Sequence, residues 1–124
     1  MIRIDHLAAG YGKLQILHDV ELALPAGQMT AILGPNGSGK STLLKSIAGL
    51  TDHFGGRIWL QEREITGTAT EQMAGLGIAY VPQRGNIFTS LSVGENLALA
   101  ARALSRADRE IALAELDEIF PLLR

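Results

Sequence analysis

The residues best suited to chemistry form the glycine-rich stretch GPNGSGKST, residues 34–42. It carries every fixed position of the template G-x-x-x-x-G-K-[ST] and lies between an apolar run and a predicted helix. In such loops the glycines let successive backbone N–H groups turn toward phosphate oxygens, and the helix N-terminus adds partial positive charge. A chance match in a chain with 14 glycines is the alternative, but the surrounding elements argue against it. The stretch therefore predicts a loop that binds a nucleoside triphosphate.

Side chains of this phosphate loop have separate predicted roles. Lys40 reaches the terminal phosphates as a point charge, and the hydroxyl of Ser41 is a predicted Mg²⁺ ligand. Thr42 adds a second hydroxyl beside the phosphates. The predicted nucleotide-binding residues of the loop are Gly34, Asn36, Gly37, Ser38, Gly39, Lys40, Ser41 and Thr42.

Composition narrows the classes of protein that fit. The chain has 124 residues, a length that allows one domain at most. Of these residues 47% are hydrophobic, enough for a sizeable core. A net charge of −2 gives no broad basic surface, so no nucleic-acid partner is predicted. The absence of cysteine excludes disulfides and thiolate catalysis. No apolar run approaches the roughly 20 residues that span a bilayer, and the N-terminus lacks a signal-peptide core, so we expect a soluble, cytosolic chain.

The elements that position the loop begin with strands. Residues 2–5 and 20–24 alternate apolar and polar side chains, as half-buried strands do, and predict an antiparallel pair. Residues 29–33, MTAIL, form a short continuous apolar run that predicts a strand buried on both faces of a parallel sheet. Apolar residues at helical spacing then predict a helix that ends near Gly49. The loop would thus join a buried strand to a helix.

The rest of the chain moves from strands to helices. A turn at Gly55-Gly56 leads into the alternating strand RIWLQ, and residues 69–74 predict a short helix before a second apolar strand, GIAYV, at 77–81. Ser92 and Glu95 have the spacing of a capping box and open a helix. Ser105 is predicted to cap another helix that runs through Phe120.

Longer stretches resemble one known family. The segment YGKLQILHDVELALPAGQMTAILGPNGSGKSTLLKSIAGL resembles the beginning of ATP-binding-cassette (ABC) ATPases, and VPQRGNIFTSLSVGENL resembles their glutamine loop and the following helix. Three segments are most similar in sequence to the ATP-binding subunits of bacterial branched-chain amino acid and related amide importers: AGLGIAYVPQ, NIFTSLSVGENL and ELDEIFPLLR. The implied fold is α/β, the N-terminal portion of a P-loop NTPase: an antiparallel β subdomain and a phosphate-loop strand-helix unit, followed by helices.

The resemblance also implies roles outside the loop, with ATP and Mg²⁺ as the bound cofactors. Tyr11 falls where these ATPases stack an aromatic ring on adenine; an ordinary hairpin tyrosine is the alternative. Gln83 falls where their glutamine contacts Mg²⁺ or the attacking water and senses the membrane subunit; a polar loop residue is the alternative. Residues 84–91 fall near the surface that receives a helix of the membrane subunit, although local packing explains the apolar Ile87 and Phe88 equally well.

Some catalytic elements of the family do not occur in these 124 residues. There is no LSGGQ-like signature and no later histidine motif, and Leu116-Asp117-Glu118 only superficially resembles the acidic strand end called Walker B. Leu113, Leu116 and Phe120 have helical spacing, which places Asp117 and Glu118 on the polar face of an amphipathic helix. We expect a partial cassette, about the front half, with a β subdomain and phosphate loop over about 1–83 and a helical segment over about 91–124.

The implied function is that of an ATP-binding subunit that couples ATP binding and hydrolysis to amino acid or amide uptake, with this chain inactive alone. Its partners would be membrane permease subunits, a second ABC ATPase subunit (identical or different) and, indirectly, a periplasmic substrate-binding protein. It would lie peripherally on the cytoplasmic face of the bacterial inner membrane. The alternatives are a nucleotide-binding fragment or regulatory module without turnover, and a soluble ABC protein outside transport.

Overall fold

The computed structural model describes residues 1–123. The chain divides into two compact units, Met1–Tyr80 and Val81–Arg124. The first unit contains the sheet, the phosphate loop and the helix that follows the loop. In the second unit, every secondary-structure element that the structure describes is a helix or a 3₁₀ turn, and all lie after residue 92. The predicted α/β architecture, with an antiparallel sheet followed by helices, is confirmed.

The first unit is built on a four-stranded antiparallel sheet. Strand β1 (Ile2–Tyr11) pairs with β2 (Leu14–Leu24) on one edge and with β3 (Asp52–Leu60) on the other. The short β4 (Arg63–Glu64), which the sequence pattern did not predict, pairs with β3. The order is therefore β2-β1-β3-β4.

One face of this sheet forms the hydrophobic core together with the helix after the loop, α1 (Lys40–Ile47). Every second side chain along a strand points to the same face of the sheet. α1 contributes apolar residues that lie one helical turn apart. The buried core residues are Ile4, Leu7, Ala9, Leu17, Leu43, Ile47, Ile58 and Ile65. Burial of this face fixes α1, and with it the end of the phosphate loop, against the sheet.

The predicted turn at Gly55-Gly56 is wrong, because β3 runs through both glycines. Gly56 has a φ of 81°, and a Cβ at this position would collide with the backbone carbonyl of His6 in β1. The register between β1 and β3 shifts here, between the pairs Asp5–Arg57 and Ala8–Gly55. Gly56 therefore serves a bulge that brings two backbones close together, which is the other common use of glycine in a strand.

The predicted strands at 29–33 and 77–81 are also corrected. Neither range forms a strand in the part of the chain that the structure describes. Met29 and Leu33 are 101% and 89% exposed, whereas Ile32 still packs against the core. A strand exists only through hydrogen bonds to its neighbours, and a parallel strand needs them at its edges. No described segment supplies such a neighbour, so both apolar runs remain irregular.

The shorter helical predictions of the first unit are confirmed. α1 is followed by Ala48 and by Gly49, whose φ is 71°. The helix predicted at 69–74 is α2 (Thr70–Met73), which continues into a 3₁₀ turn, Ala74–Leu76.

The second unit contains α3 (Val93–Ala100), a 3₁₀ turn (Ala101–Ala103), α4 (Arg106–Ile119) and a final 3₁₀ turn (Pro121–Leu123). The predicted capping box is confirmed: the Ser92 hydroxyl accepts a hydrogen bond from the Glu95 N–H, and the Glu95 carboxylate accepts from the Ser92 N–H. These bonds from Ser92 hold the pKa of Glu95 below its usual range. Ser105 caps α4 as predicted. Among residues 1–123, no helix is long and apolar enough to cross a membrane.

Candidate functional site

The phosphate loop opens directly onto the N-terminus of α1. Gly39 is the N-cap residue, and its carbonyl accepts the first helical hydrogen bond from Leu43, at 2.8 Å. No side chain caps this helix end, and its first turn carries no acidic residue. The first N–H groups of a helix lack internal partners and carry partial positive charge. This end of α1 therefore offers donors to an anion, in contrast to α3, whose N-terminus binds its own carboxylate.

The backbone of the loop depends on glycine at its junction with the helix. Gly39 has a φ of 88°, and a Cβ there would lie 2.8 Å from the Cδ2 atom of Leu17 in β2. Any larger residue would be strained both by its backbone conformation and by this contact. Because Leu17 is a buried core residue, the sheet supports the loop from behind.

Lys40 carries the only ammonium group in residues 34–42, and this group lies within the loop. Its Nζ donates hydrogen bonds to the carbonyl oxygens of Gly34 at 2.8 Å and Pro35 at 2.6 Å. The side chain thus folds back over the start of the loop and ties the two ends of the loop together. An ammonium, free helix N–H groups and glycine backbone form a donor set that suits phosphate oxygens.

The hydroxyl residues at the start of α1 lie in different environments. Ser41 is exposed, whereas Thr42 is 7% exposed and buried beside the core residue Leu43. Asn36 and Ser38 are exposed in the loop. The structure thus brings the predicted loop residues Gly34 to Thr42 together, with Ser41 more accessible than Thr42.

Tyr11 lies at the end of β1, in the same unit as the loop, and its side chain is partly exposed. The N–H of the next residue, Gly12, donates a 2.6 Å hydrogen bond to the Asp52 carboxylate. The ammonium of Lys45, on α1, lies 5.5 Å from the centroid of the Tyr11 ring. The roles of Lys45 and Asp52 were not predictable from the sequence, because these contacts join distant positions that no local spacing marks.

Gln83 lies in the second unit, in an exposed bend, while Ser41 lies in the first unit. Their predicted joint role at Mg²⁺ remains a prediction. No cluster of three or more His, Cys, Asp or Glu side chains that could hold a metal occurs among the described residues.

Asp117 and Glu118 both lie within α4, so the predicted helix is confirmed at these positions. Glu118 is exposed, whereas Asp117 is half-buried and takes part in an interaction. A strand-end acidic pair is not what the structure shows here.

An apolar groove of about 440 Å³ lies within the second unit. The side chains of Ile87 and Phe88 are 68% and 58% exposed, so local packing does not bury them. The groove is lined by Ile87, Phe88, Thr89, Leu91, Val93, Asn96 and Leu97. Asn96 anchors the segment by accepting a hydrogen bond from the Phe88 N–H and donating one to the Phe88 carbonyl. The exposed apolar side chains are thus held on a fixed backbone.

The chain is similar in sequence to known proteins over its whole length. The sequence model of a family described as ABC transporter matches residues 17–121. The chain is 44% identical, over all 124 residues, to a probable branched-chain amino acid transport ATP-binding protein LivF from Archaeoglobus fulgidus, and covers 52% of it. It is 33% identical, again over all 124 residues, to the high-affinity branched-chain amino acid transport ATP-binding protein BraG of Pseudomonas aeruginosa, and covers 53% of that protein.

Solved structures of ABC transporter ATP-binding proteins have a fold similar to that of this chain. An ATP-binding subunit of an ABC transporter superposes with a TM-score of 0.80 at 31% identity, over 98% of this chain and 51% of that one. A dimeric ATP-binding cassette in a post-hydrolysis state, bound to ADP and phosphate, superposes with a TM-score of 0.75 at 25% identity, over 95% of this chain and 56% of that one. The chain spans about half the length of the curated relatives it matches.

Proposed function

Since the chain belongs to the ABC transporter family, we propose that it supplies the ATP-binding part of an importer subunit for branched-chain amino acids or related amides. The observation that carries the proposal is the phosphate loop on the open N-terminus of α1, with the Lys40 ammonium held inside it. The names of two relatives state branched-chain amino acid transport, and these names support the proposed substrate class.

The proposed binding role divides among residues of the first unit. Lys40 and the N–H groups at the start of α1 hold the terminal phosphates, while Gly37 and Gly39 let the backbone approach them. Ser41 supplies a hydroxyl to Mg²⁺, and its exposure in the structure supports this role. Tyr11 stacks on the adenine ring. When bound, Mg-ATP supplies the phosphoanhydride bond whose hydrolysis drives transport.

The second unit is proposed to contact other subunits. Gln83 would sense both the bound Mg²⁺ and the membrane subunit. The groove at Ile87 and Phe88 would receive an apolar helix of a permease, and its exposed apolar side chains support this proposal. The assembled protein would contain a second ATPase subunit and would lie on the cytoplasmic face of the inner membrane, supplied by a periplasmic binding protein. The proposed boundaries are about 1–83 for the β subdomain with the phosphate loop and 91–124 for the helical segment.

We further propose that the 124-residue chain by itself binds ATP without hydrolysing it. Catalysis in this family needs a carboxylate beside the attacking water and charge stabilisation from a signature loop, and electrostatic contributions of this kind are each worth about 3 kcal/mol or more. The chain contains no LSGGQ-like segment. Its acidic pair, Asp117 and Glu118, lies on a helix in the second unit.

A single experiment tests both binding and the lack of turnover. The chain is incubated with Mg-ATP and separated from free nucleotide, and the bound nucleotide is identified by ion-exchange chromatography. We expect bound ATP, no ADP and no phosphate release above background. A chain that retains no nucleotide would refute the proposed function. Steady release that is lost in Glu118→Gln but kept in the matched helical control Glu110→Gln would refute only the lack of turnover.

A further inference from the structure

Lys45 joins the two parts of the proposed nucleotide site. It lies on α1, five residues after Lys40, and its Nζ atom is 5.5 Å from the centroid of the Tyr11 ring. This distance is within the roughly 6 Å over which an ammonium is attracted to the face of an aromatic ring. One ring face of Tyr11 is therefore occupied by a cation from the helix that carries the phosphate loop.

The backbone around Tyr11 is fixed separately from this contact. Asp52 holds the N–H of Gly12 at 2.6 Å, and Gly10 packs so closely on the Leu14 carbonyl that a Cβ would not fit there. These contacts fix the backbone of the turn between β1 and β2, while the Tyr11 side chain remains 39% exposed. With the backbone held, the contact with Lys45 restricts the orientation of the ring.

Tyr11 and the loop are also close along β2. Tyr11 pairs with Leu14, and Leu17 lies against the loop residue Gly39. Three residues of strand span about 10 Å, which is the scale of a nucleoside with its phosphates. A nucleotide held by the loop could therefore place its base against Tyr11.

We propose that Lys45 is a positioning residue for base binding. It holds one face of the Tyr11 ring and leaves the other face free for the adenine, so the ring is oriented before the nucleotide arrives. Ordering a side chain in advance reduces the entropy lost on binding. This inference rests on the proposed function, because it assumes that the loop binds ATP.

A purely structural role is the alternative. Lys45 lies in the last turn of α1, where a positive charge stabilises the helix dipole. That role would change the stability of the folded chain, and a loss of long-range charge would weaken every phosphate ligand. Neither would distinguish a ligand with a base from a ligand without one.

The test compares ATP with inorganic tripolyphosphate, which has the phosphates but no base, by isothermal titration. We expect Lys45→Met to weaken ATP binding about two- to fivefold while tripolyphosphate binding stays unchanged. Lys45→Arg should retain the ATP affinity, since guanidinium groups also bind ring faces. Lys13→Met, which removes a charge from the exposed turn between β1 and β2, should change neither affinity. Circular dichroism melts establish that each variant is folded, and Lys45→Gln replaces Lys45→Met if the latter is not.

Each outcome decides the matter. Equal weakening of both ligands, or no change in either, would overturn the positioning role of Lys45. Failure of Lys45→Arg to retain the affinity would also count against it. If the unmodified chain binds neither ligand, the proposed function itself fails. If instead the unmodified chain binds both ligands and the variants bind them with unchanged affinity, only the positioning role of Lys45 fails.

Discussion

Replacing Lys40 with alanine is expected to weaken binding of Mg-ATP to the chain about a hundredfold. Lys40 carries the only cation in residues 34–42. A hydrogen bond to a charged group contributes about 1.5–3 kcal/mol, and about 2.7 kcal/mol corresponds to a hundredfold change in affinity. The variant also loses the bonds to the carbonyls of Gly34 and Pro35, so the loop becomes less ordered. Isothermal titration measures the effect.

Lys13→Ala is the matched control, because it removes the same charge from an exposed turn of the same unit. We expect its ATP affinity to equal that of the unmodified chain. Circular dichroism melts of both variants show whether the fold is retained. Equal ATP affinity in the unmodified chain and in folded Lys40→Ala would mean that residues 34–42 are not a phosphate loop.

The double variant Ile87→Ser with Phe88→Ser is expected to lose co-purification with the permease subunit expressed beside it. Burying one large apolar side chain contributes about 1.5–3 kcal/mol. Removing two would therefore weaken the contact by at least about a hundredfold. Both side chains are more than half exposed, so the fold of the second unit should not depend on them.

Its control is Ile111→Ser with Ile119→Ser, which likewise replaces two exposed apolar side chains, both on α4, with serine. We expect this control to retain the permease. If the permease stays bound to the Ile87 and Phe88 variant, the groove is not the docking surface. If both variants lose it, the loss reflects exposed apolar surface in general and not this groove.

Features set by neighbouring residues were predictable from the sequence. The helix that begins at the end of residues 34–42, the capping box of Ser92 and Glu95, and the cap at Ser105 each depend on residues within one or two turns, and the structure contains all three. Local rules determine such features because the interacting groups are close in the chain.

Features set by distant residues were not predictable in the same way. The apolar run at 29–33 has the composition of a buried strand, but a strand also requires neighbours, and the described residues provide none for it. Gly55 and Gly56 looked like a turn because their signal is the same for a turn and for a bulge. The contact between Tyr11 and Lys45 joins positions 34 residues apart and depends on how α1 packs on the sheet.

The central claim is that residues 34–42 bind Mg-ATP, and residue-resolved amide hydrogen exchange of the unmodified chain tests it most directly. The N-terminus of α3 is an internal reference, because Ser92 and Glu95 already cap it. We expect saturating Mg-ATP to slow exchange at the amides of residues 37–42 and to leave residues 93–96 unchanged. Unchanged exchange at 37–42, or protection confined to the second unit, would contradict the claim.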